Sequence, residues 1–216
     1  MDPLHLCIAL GPVAIYFLLL GSINLSRRPF VTSGTRDAAA LGIAIGGFVV
    51  AGPMELFLPE SAAVRMGFWV WPTCIAFYIL CLSLAVLLMR PRIVIYNVTF
   101  EQLRPSLADI VLRLDSESRW AGDSLVMPNL GVQLTVESQG MMKNVQLTAA
   151  GIEQSFQGWR LLEAELSTVL RSAKGTRNPY SMLFVVVGIF LATATIFYLS
   201  SDPQGVAQSL NDMLRK

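Results

Sequence analysis

Charge is scarce in this chain, and histidine and cysteine are scarcer. Only 14% of its 216 residues are charged, against roughly a quarter in a soluble domain. The deficit is uneven. Residues 4–25, 38–58, 67–89 and 180–200 hold almost no ionisable group, whereas residues 90–178 have ordinary soluble composition. Each apolar run matches the ~20 residues a helix needs to cross the hydrocarbon layer. Four such runs in so short a chain exclude a large soluble core and predict a polytopic membrane protein. The mean hydropathy of +0.56 agrees.

The other shortages exclude chemistry. The one histidine, His5, and the three cysteines, Cys7, Cys74 and Cys81, all lie in the apolar runs. Residues 90–178 therefore contain neither, which removes imidazole acid–base catalysis, thiol catalysis and Cys/His zinc binding from that region. No cofactor or metal site is expected. Cys74 and Cys81 are a helical separation apart that is too long for a disulfide. The segment 90–178 carries ten basic and nine acidic residues, so it presents no basic field and no nucleic-acid partner is expected.

What charge there is has a pattern. Inward-facing loops collect Lys and Arg near span ends. Arg27, Arg28 and Arg36 follow the first run, Arg90 and Arg92 the third, and Arg171, Lys174 and Arg177 precede the fourth. Those eight are half of the 16 basic residues. The opposite ends carry only Arg65, and then Arg215 and Lys216 well beyond the last run. The expected map puts the N- and C-termini outside and both loop 26–37 and segment 90–178 in the cytoplasm. The first run, which lacks a basic leader, is expected to be a retained span rather than a secretory signal. Trp69 and Trp71, Tyr180 and Tyr198 fall at span ends, where amphipathic rings are favoured. Arginine outnumbers lysine thirteen to three, an association that points to a bacterial inner membrane. The sequons at Asn24 and Asn97 fall on the cytoplasmic side of this map, so neither is expected to carry a glycan.

The resulting organisation is a three-span region 1–89 (spans about 4–25, 38–58 and 67–89), a cytoplasmic α+β domain 90–178, a fourth span 179–200 and an outer tail 201–216. In the domain, 93–98, 124–128, 131–138 and 144–149 read as strands. A helix follows Thr99, whose spacing to Gln102 suits a capping box, although Pro105 argues for a later start. A second helix is expected over 152–173, with Ile152, Phe156, Trp159, Leu162, Leu166 and Val169 as its apolar stripe. The order β-α-β-β-β-α predicts a small antiparallel sheet with both helices on one face. In the tail, Asp202-Pro203 opens an amphipathic stretch through Val206, Leu210, Met213 and Leu214, a candidate interfacial helix.

Candidate functional residues are few. The stretch 26–37, SRRPFVTSGTRD, has three arginines and a Ser-Gly-Thr turn before a helix. It lacks the lysine and the preceding strand of a phosphate loop, so its arginines read as orientation anchors. Arg27, Arg28, Arg36, Arg90 and Arg92 are the candidate contacts for anionic lipid headgroups. Ser33 or Thr35 is expected to cap span two. Gly42 and Gly46 in span two, and Gly188 and Ala192 in span four, form small-residue faces for helix packing within the chain or between copies. Arg119, Trp120, Asp123 and Ser124 mark a candidate ligand loop, with a plain turn as its alternative. Glu55 is the one acidic residue within the spans, and an interfacial carboxylate is its simplest reading. Together these predict a non-enzymatic membrane protein that anchors a domain binding or scaffolding a protein partner or lipid headgroups. The alternative is an accessory subunit of a membrane transporter or membrane enzyme complex, joined through the glycine faces or as a homo-oligomer. An enzyme using Asp123 or Glu55 is the weakest reading, because no second catalytic group accompanies either.

Overall fold

In a computed structural model, residues 3–54, 67–139, 142–173, 175 and 178–215 are described. The chain divides into two compact units. One comprises Met1–Gly21, Ala39–Leu88 and Leu183–Lys216, and the other Ser22–Ala38 and Met89–Met182.

The first unit is helical. It holds most of α1 (Pro3–Leu25), α2 (Gly34–Val49, continued by a π-helical turn Val50–Met54) and α6 (Ser181–Ser201), and all of α3 (Val70–Leu87, preceded by a 3-10 turn Gly67–Trp69) and α7 (Pro203–Arg215); the last turn of α1 and the first residues of α2 and α6 belong to the second unit. Four of them, α1, α2, α3 and α6, are long and apolar enough to cross a membrane. Glycine lets them close on one another. The ring of Tyr78 lies over Gly46, its hydroxyl donates to the Gly42 carbonyl at 2.6 Å, and Leu82 fills the space above Gly42. Leu18 and Val185 likewise occupy the positions a side chain would need at Gly188 and Gly21. The residue that matters most is Gly47. Pro12 lies inside α1 and has no N–H to give the Ile8 carbonyl, its partner four residues back. That freed oxygen faces Gly47 of α2, where any β-carbon would strike it. A proline is tolerated here because a neighbouring backbone covers what it leaves open. Of the two tryptophans expected at a span end, Trp69 is 69% exposed, but Trp71 is buried within the unit.

The second unit is a six-stranded antiparallel sheet of order β1-β2-β6-β5-β4-β3. Its strands are β1 (Phe30–Ser33), β2 (Arg92–Tyr96), β3 (Arg119–Ala121), β4 (Ser124–Met127), β5 (Val132–Gln139) and β6 (Asn144–Ala149), with helices α4 (Phe100–Leu114) and α5 (Phe156–Arg171). Ile93 and Ile95, Leu125 and Met127, Leu134 and Val136, and Val145 and Leu147 alternate into one core. Leu103, Leu107 and Ile110 of α4 and Trp159, Leu162 and Leu166 of α5 complete it.

Several expectations change. The stretch 26–37 does contain a strand, and β1 pairs with β2 from Phe30↔Tyr96 to Ser33↔Ile93. The segment expected as a ligand loop begins with strand β3. The order in the unit is therefore β-β-α-β-β-β-β-α. The unit also takes in Ser22–Ala38, so it is not a contiguous segment like 90–178. Helix α4 starts at Phe100 with Pro105 inside it. The Thr99 N–H donates to the Gln102 side chain at 3.4 Å, and Pro105 and Glu101, whose carbonyl it leaves free, are both exposed. Helix α5 begins at Phe156, not 152, because the Ser155 hydroxyl caps it by accepting the Gly158 N–H at 3.2 Å. Ile152 is 100% and Phe156 72% exposed, and Leu170 takes its place on the buried stripe.

Asp115, buried at the end of α4, joins that helix to the turn before β5. One carboxylate oxygen accepts the Glu117 N–H at 2.9 Å and the Asn129 amide at 2.8 Å. The other accepts the backbone N–H groups of Asn129 at 2.8 Å and Leu130 at 3.4 Å. Burial alone would raise its pKa; these four donors outweigh burial and hold it below the ordinary 3.8. A carboxylate with a depressed folded pKa stabilises the fold above its unfolded pKa, and that contribution fades as pH falls through the folded value. At neutral pH, Asp115→Asn should lower unfolding stability in detergent by about 1–3 kcal/mol. In urea titrations the gap to the parent should shrink below about pH 4; a gap independent of pH would contradict the assignment.

Candidate functional site

The arginine-bearing segments are held by a knot of buried asparagines. Strand β2 is followed by Asn97, which has a φ of +62°, a left-handed conformation asparagine tolerates better than most residues. Its side-chain amide donates to the carbonyls of Ile23 at 2.6 Å, Ser26 at 3.0 Å and Arg28 at 3.2 Å. A helix leaves its last carbonyls without intrahelical donors, and here a residue more than seventy positions away along the chain supplies one for the end of α1. Gly175 donates its N–H to the Arg27 carbonyl at 2.7 Å. A β-carbon at Gly175 would come within 3.1 Å of Pro29 and closer still to the Asn97 and Arg27 carbonyls. Asn178 donates to the Asn24 side chain at 2.8 Å and to the Met142 carbonyl at 2.7 Å, and accepts the Tyr180 N–H at 3.0 Å. Asn24, Asn97 and Asn178 are all at most 1% exposed. Burial leaves no room for a glycan on Asn24 or Asn97 in the folded chain. The backbone of Arg27 and Arg28 is thus fixed, while both side chains are exposed.

The remaining arginines divide. Ser33 caps α2, its hydroxyl accepting the Arg36 N–H at 3.4 Å and lying 3.1 Å from the Thr35 hydroxyl. Arg36 then reaches Glu163 of α5 at 3.0 Å. Arg92 lies directly against Gly34, where a β-carbon would overlap its side chain. Its guanidinium stands 4.0 Å from Asp37, which also accepts the Tyr96 hydroxyl at 2.7 Å. Arg36, its side chain 75% exposed, and Arg92, part-buried, each face a carboxylate of the unit. Arg90 is exposed, like Arg27 and Arg28. The five candidate headgroup contacts therefore separate into three exposed guanidinium groups with no carboxylate partner among the described residues and two that pair with carboxylates beside the start of α2.

Elsewhere the candidates do not converge. Residues 119–124 form a tight hairpin, with Trp120 opposite Leu125 and Ala121 opposite Ser124. Gly122, at φ +63°, takes the first central position that a type II′ turn reserves for glycine. Arg119, Trp120 and Asp123 face solvent and Ser124 bonds Thr135 at 3.3 Å. A shallow groove of about 360 Å³ lies away from this hairpin tip, lined by Met127, Gly131, Gln133, Glu153, Gln154 and Ser155 among others. Its one carboxylate is Glu153, and its Gln154 is occupied by Trp159, Ala150 and Gln133. Gly42, Gly46 and Gly188 are filled by side chains of the same chain, and Ala192 is half-buried. Glu55 lies outside the described residues. Among the described residues no three His, Cys, Asp or Glu side chains are grouped as a metal site.

The asparagine knot was invisible to motif reading, because Asn24 and Asn97 carry no signal beyond their sequons and Asn178 none at all. Comparisons with protein-family models, with curated proteins and with solved structures find no match.

Asn97→Ala removes the amide and places alanine at a left-handed φ. Losing its hydrogen bonds to these part-buried carbonyls costs about 1–3 kcal/mol, and the backbone conformation adds about 1–2 kcal/mol. Thermal unfolding in detergent should rank the parent above Asn97→Gly and that above Asn97→Ala, with Arg27→Ala matching the parent. Equal midpoints for Asn97→Ala and Arg27→Ala would contradict the capping role.

Proposed function

We propose that this is a non-enzymatic integral membrane protein of a cell membrane. Its four spans anchor the sheet unit at the cytoplasmic face, where the unit binds or scaffolds a protein partner and the span ends hold anionic lipid headgroups. One observation carries the reading. The loop after α1 and the segment after α3 belong to one sheet through the β1–β2 pairing, so both lie on the same side of any bilayer the helices cross. In the sequence, Arg27, Arg28, Arg36, Arg90, Arg92, Arg171, Lys174 and Arg177 border the ends of the apolar runs next to these two segments. Positive charge marks the cytoplasmic side, and the β1–β2 pairing supports the same grouping of loops independently of charge.

The free arginines support the lipid part. Arg27, Arg28 and Arg90 are exposed, follow spans directly, and have no carboxylate partner among the described residues. Each basic side chain close to an anionic surface contributes about 1 kcal/mol. The accessory-subunit alternative loses its proposed surface, since the chain itself covers Gly42, Gly46 and Gly188. The enzyme alternative is no stronger: Asp123 stands in solvent at a hairpin tip.

The test is lipid selectivity in the reconstituted full chain. Spin-labelled phosphatidylglycerol should associate more strongly than phosphatidylcholine with the parent. The triple variant Arg27→Gln, Arg28→Gln, Arg90→Gln should lose that preference several-fold, while Arg36→Gln retains it. Unchanged selectivity in the triple variant would remove the headgroup role.

A further inference from the structure

The tail helix α7 (Pro203–Arg215) starts one residue after α6 ends at Ser201. Asp202 makes that joint. Its carboxylate accepts the Gly205 N–H at 2.9 Å and its carbonyl accepts the Val206 N–H at 3.1 Å. Pro203 then occupies the first helical position, where its missing N–H is no loss. Proline also disfavours a helical conformation at the residue before it, so α7 is a new helix and not an extension of the span. A single residue gives it no tether with which to leave the level at which α6 ends.

Its residues are two-faced. Val206 and Leu210 are one helical repeat apart, and Leu210 keeps 43% of its surface exposed. Gln204, Gln208 and Asn211 are exposed around them. The helix packs against the 3-10 turn Gly67–Trp69 that opens α3, and Trp69 there is itself largely exposed. An exposed tryptophan at a span end is a marker of headgroup depth. Thirteen residues make a marginal helix in water without a surface to lie on. The charges in Pro203–Arg215 are Asp212 and Arg215, one of each sign, so the helix has no net attraction to anionic lipid.

We propose that α7 lies flat in the membrane–water interface beside the end of α6, its Val206/Leu210 face in the acyl region, held by apolar burial and not by lipid charge. The proposal rests on α6 crossing a bilayer and not on which side the tail faces, so it stands or falls separately from the cytoplasmic placement of the sheet.

The test uses the full chain with Cys7, Cys74 and Cys81 replaced by alanine. Nitroxide labels are placed singly by Val206→Cys, Leu210→Cys, Gln204→Cys, Gln208→Cys and Asn211→Cys. The protein is reconstituted into vesicles of phosphatidylcholine alone and of phosphatidylcholine mixed with phosphatidylglycerol. Labels at 206 and 210 should relax several-fold more with dissolved oxygen than with a water-soluble nickel chelate. Labels at 204, 208 and 211 should show the reverse, and both patterns should be the same in the two vesicle types. Nickel access at all five sites would put the helix in water and overturn the proposal. Shielding of 206 and 210 from both reagents would show that protein, a second copy or a partner, covers the face. Oxygen access that appears only with phosphatidylglycerol would show that lipid charge holds the helix, and would overturn it as well.

Discussion

Four residues decide how this chain is organised. Phe30–Ser33 pair with β2, and through that ladder a loop between two apolar helices becomes part of a sheet otherwise built from residues more than fifty positions later. Without the pairing, residues 26–37 would be a turn between spans. With it, Val31 packs against the sheet core and α5 covers the strand. Backbone hydrogen bonds contribute only about 1 kcal/mol each, so a strand this short gains from the side-chain cover and from the asparagine knot beside it.

The knot explains why buried polar residues stand where helix ends meet the sheet. Carbonyls at the end of a helix lack some of their intrahelical donors, and those of Ile23, Ser26 and Arg28 receive the Asn97 amide. Asn97, turned into the left-handed region, is short enough to fit there and supplies two N–H groups. For the proposed headgroup role the consequence is mechanical. Hydrogen bonds fix the backbone on both sides of Arg27, so the guanidinium groups extend from a rigid base. Pre-organised charge of that kind loses less freedom when it engages an anion than the same side chains on a mobile loop.

Length and composition made the four helices long and apolar enough to cross a membrane legible, because a span is a property of ~20 consecutive residues. Alternation made β5 legible, where Val132, Leu134 and Val136 face the core. Strand β1 was not. Four residues between Pro29 and Gly34 read as a turn, and the partner that makes them a strand lies some sixty residues away. The three residues of β3 were likewise too few to show a period. The start of α5 was misread for a different reason: Ile152 continues the spacing of the stripe by coincidence, while Ser155, the residue that stops the helix from extending further, was the better signal. Among the candidate site residues, sequence located the arginines but could not divide them, since the division depends on Glu163 and Asp37 reaching Arg36 and Arg92. The glycine faces were located too, but Gly47 emerged as the tightest contact only once Ile8 and Pro12 of another helix lay beside it.

The central claim is that loop 26–37 and the segment between the last two spans share one side of the membrane, and that this side is the cytoplasm. Cysteine-free protein carrying Arg28→Cys or Asp123→Cys, probed in intact cells with a maleimide that cannot cross the membrane, tests it most directly. The account predicts that neither site reacts until the membrane is opened, and that both then react. Opposite behaviour at the two sites would break the shared sheet, and reaction of both in intact cells would turn the molecule around.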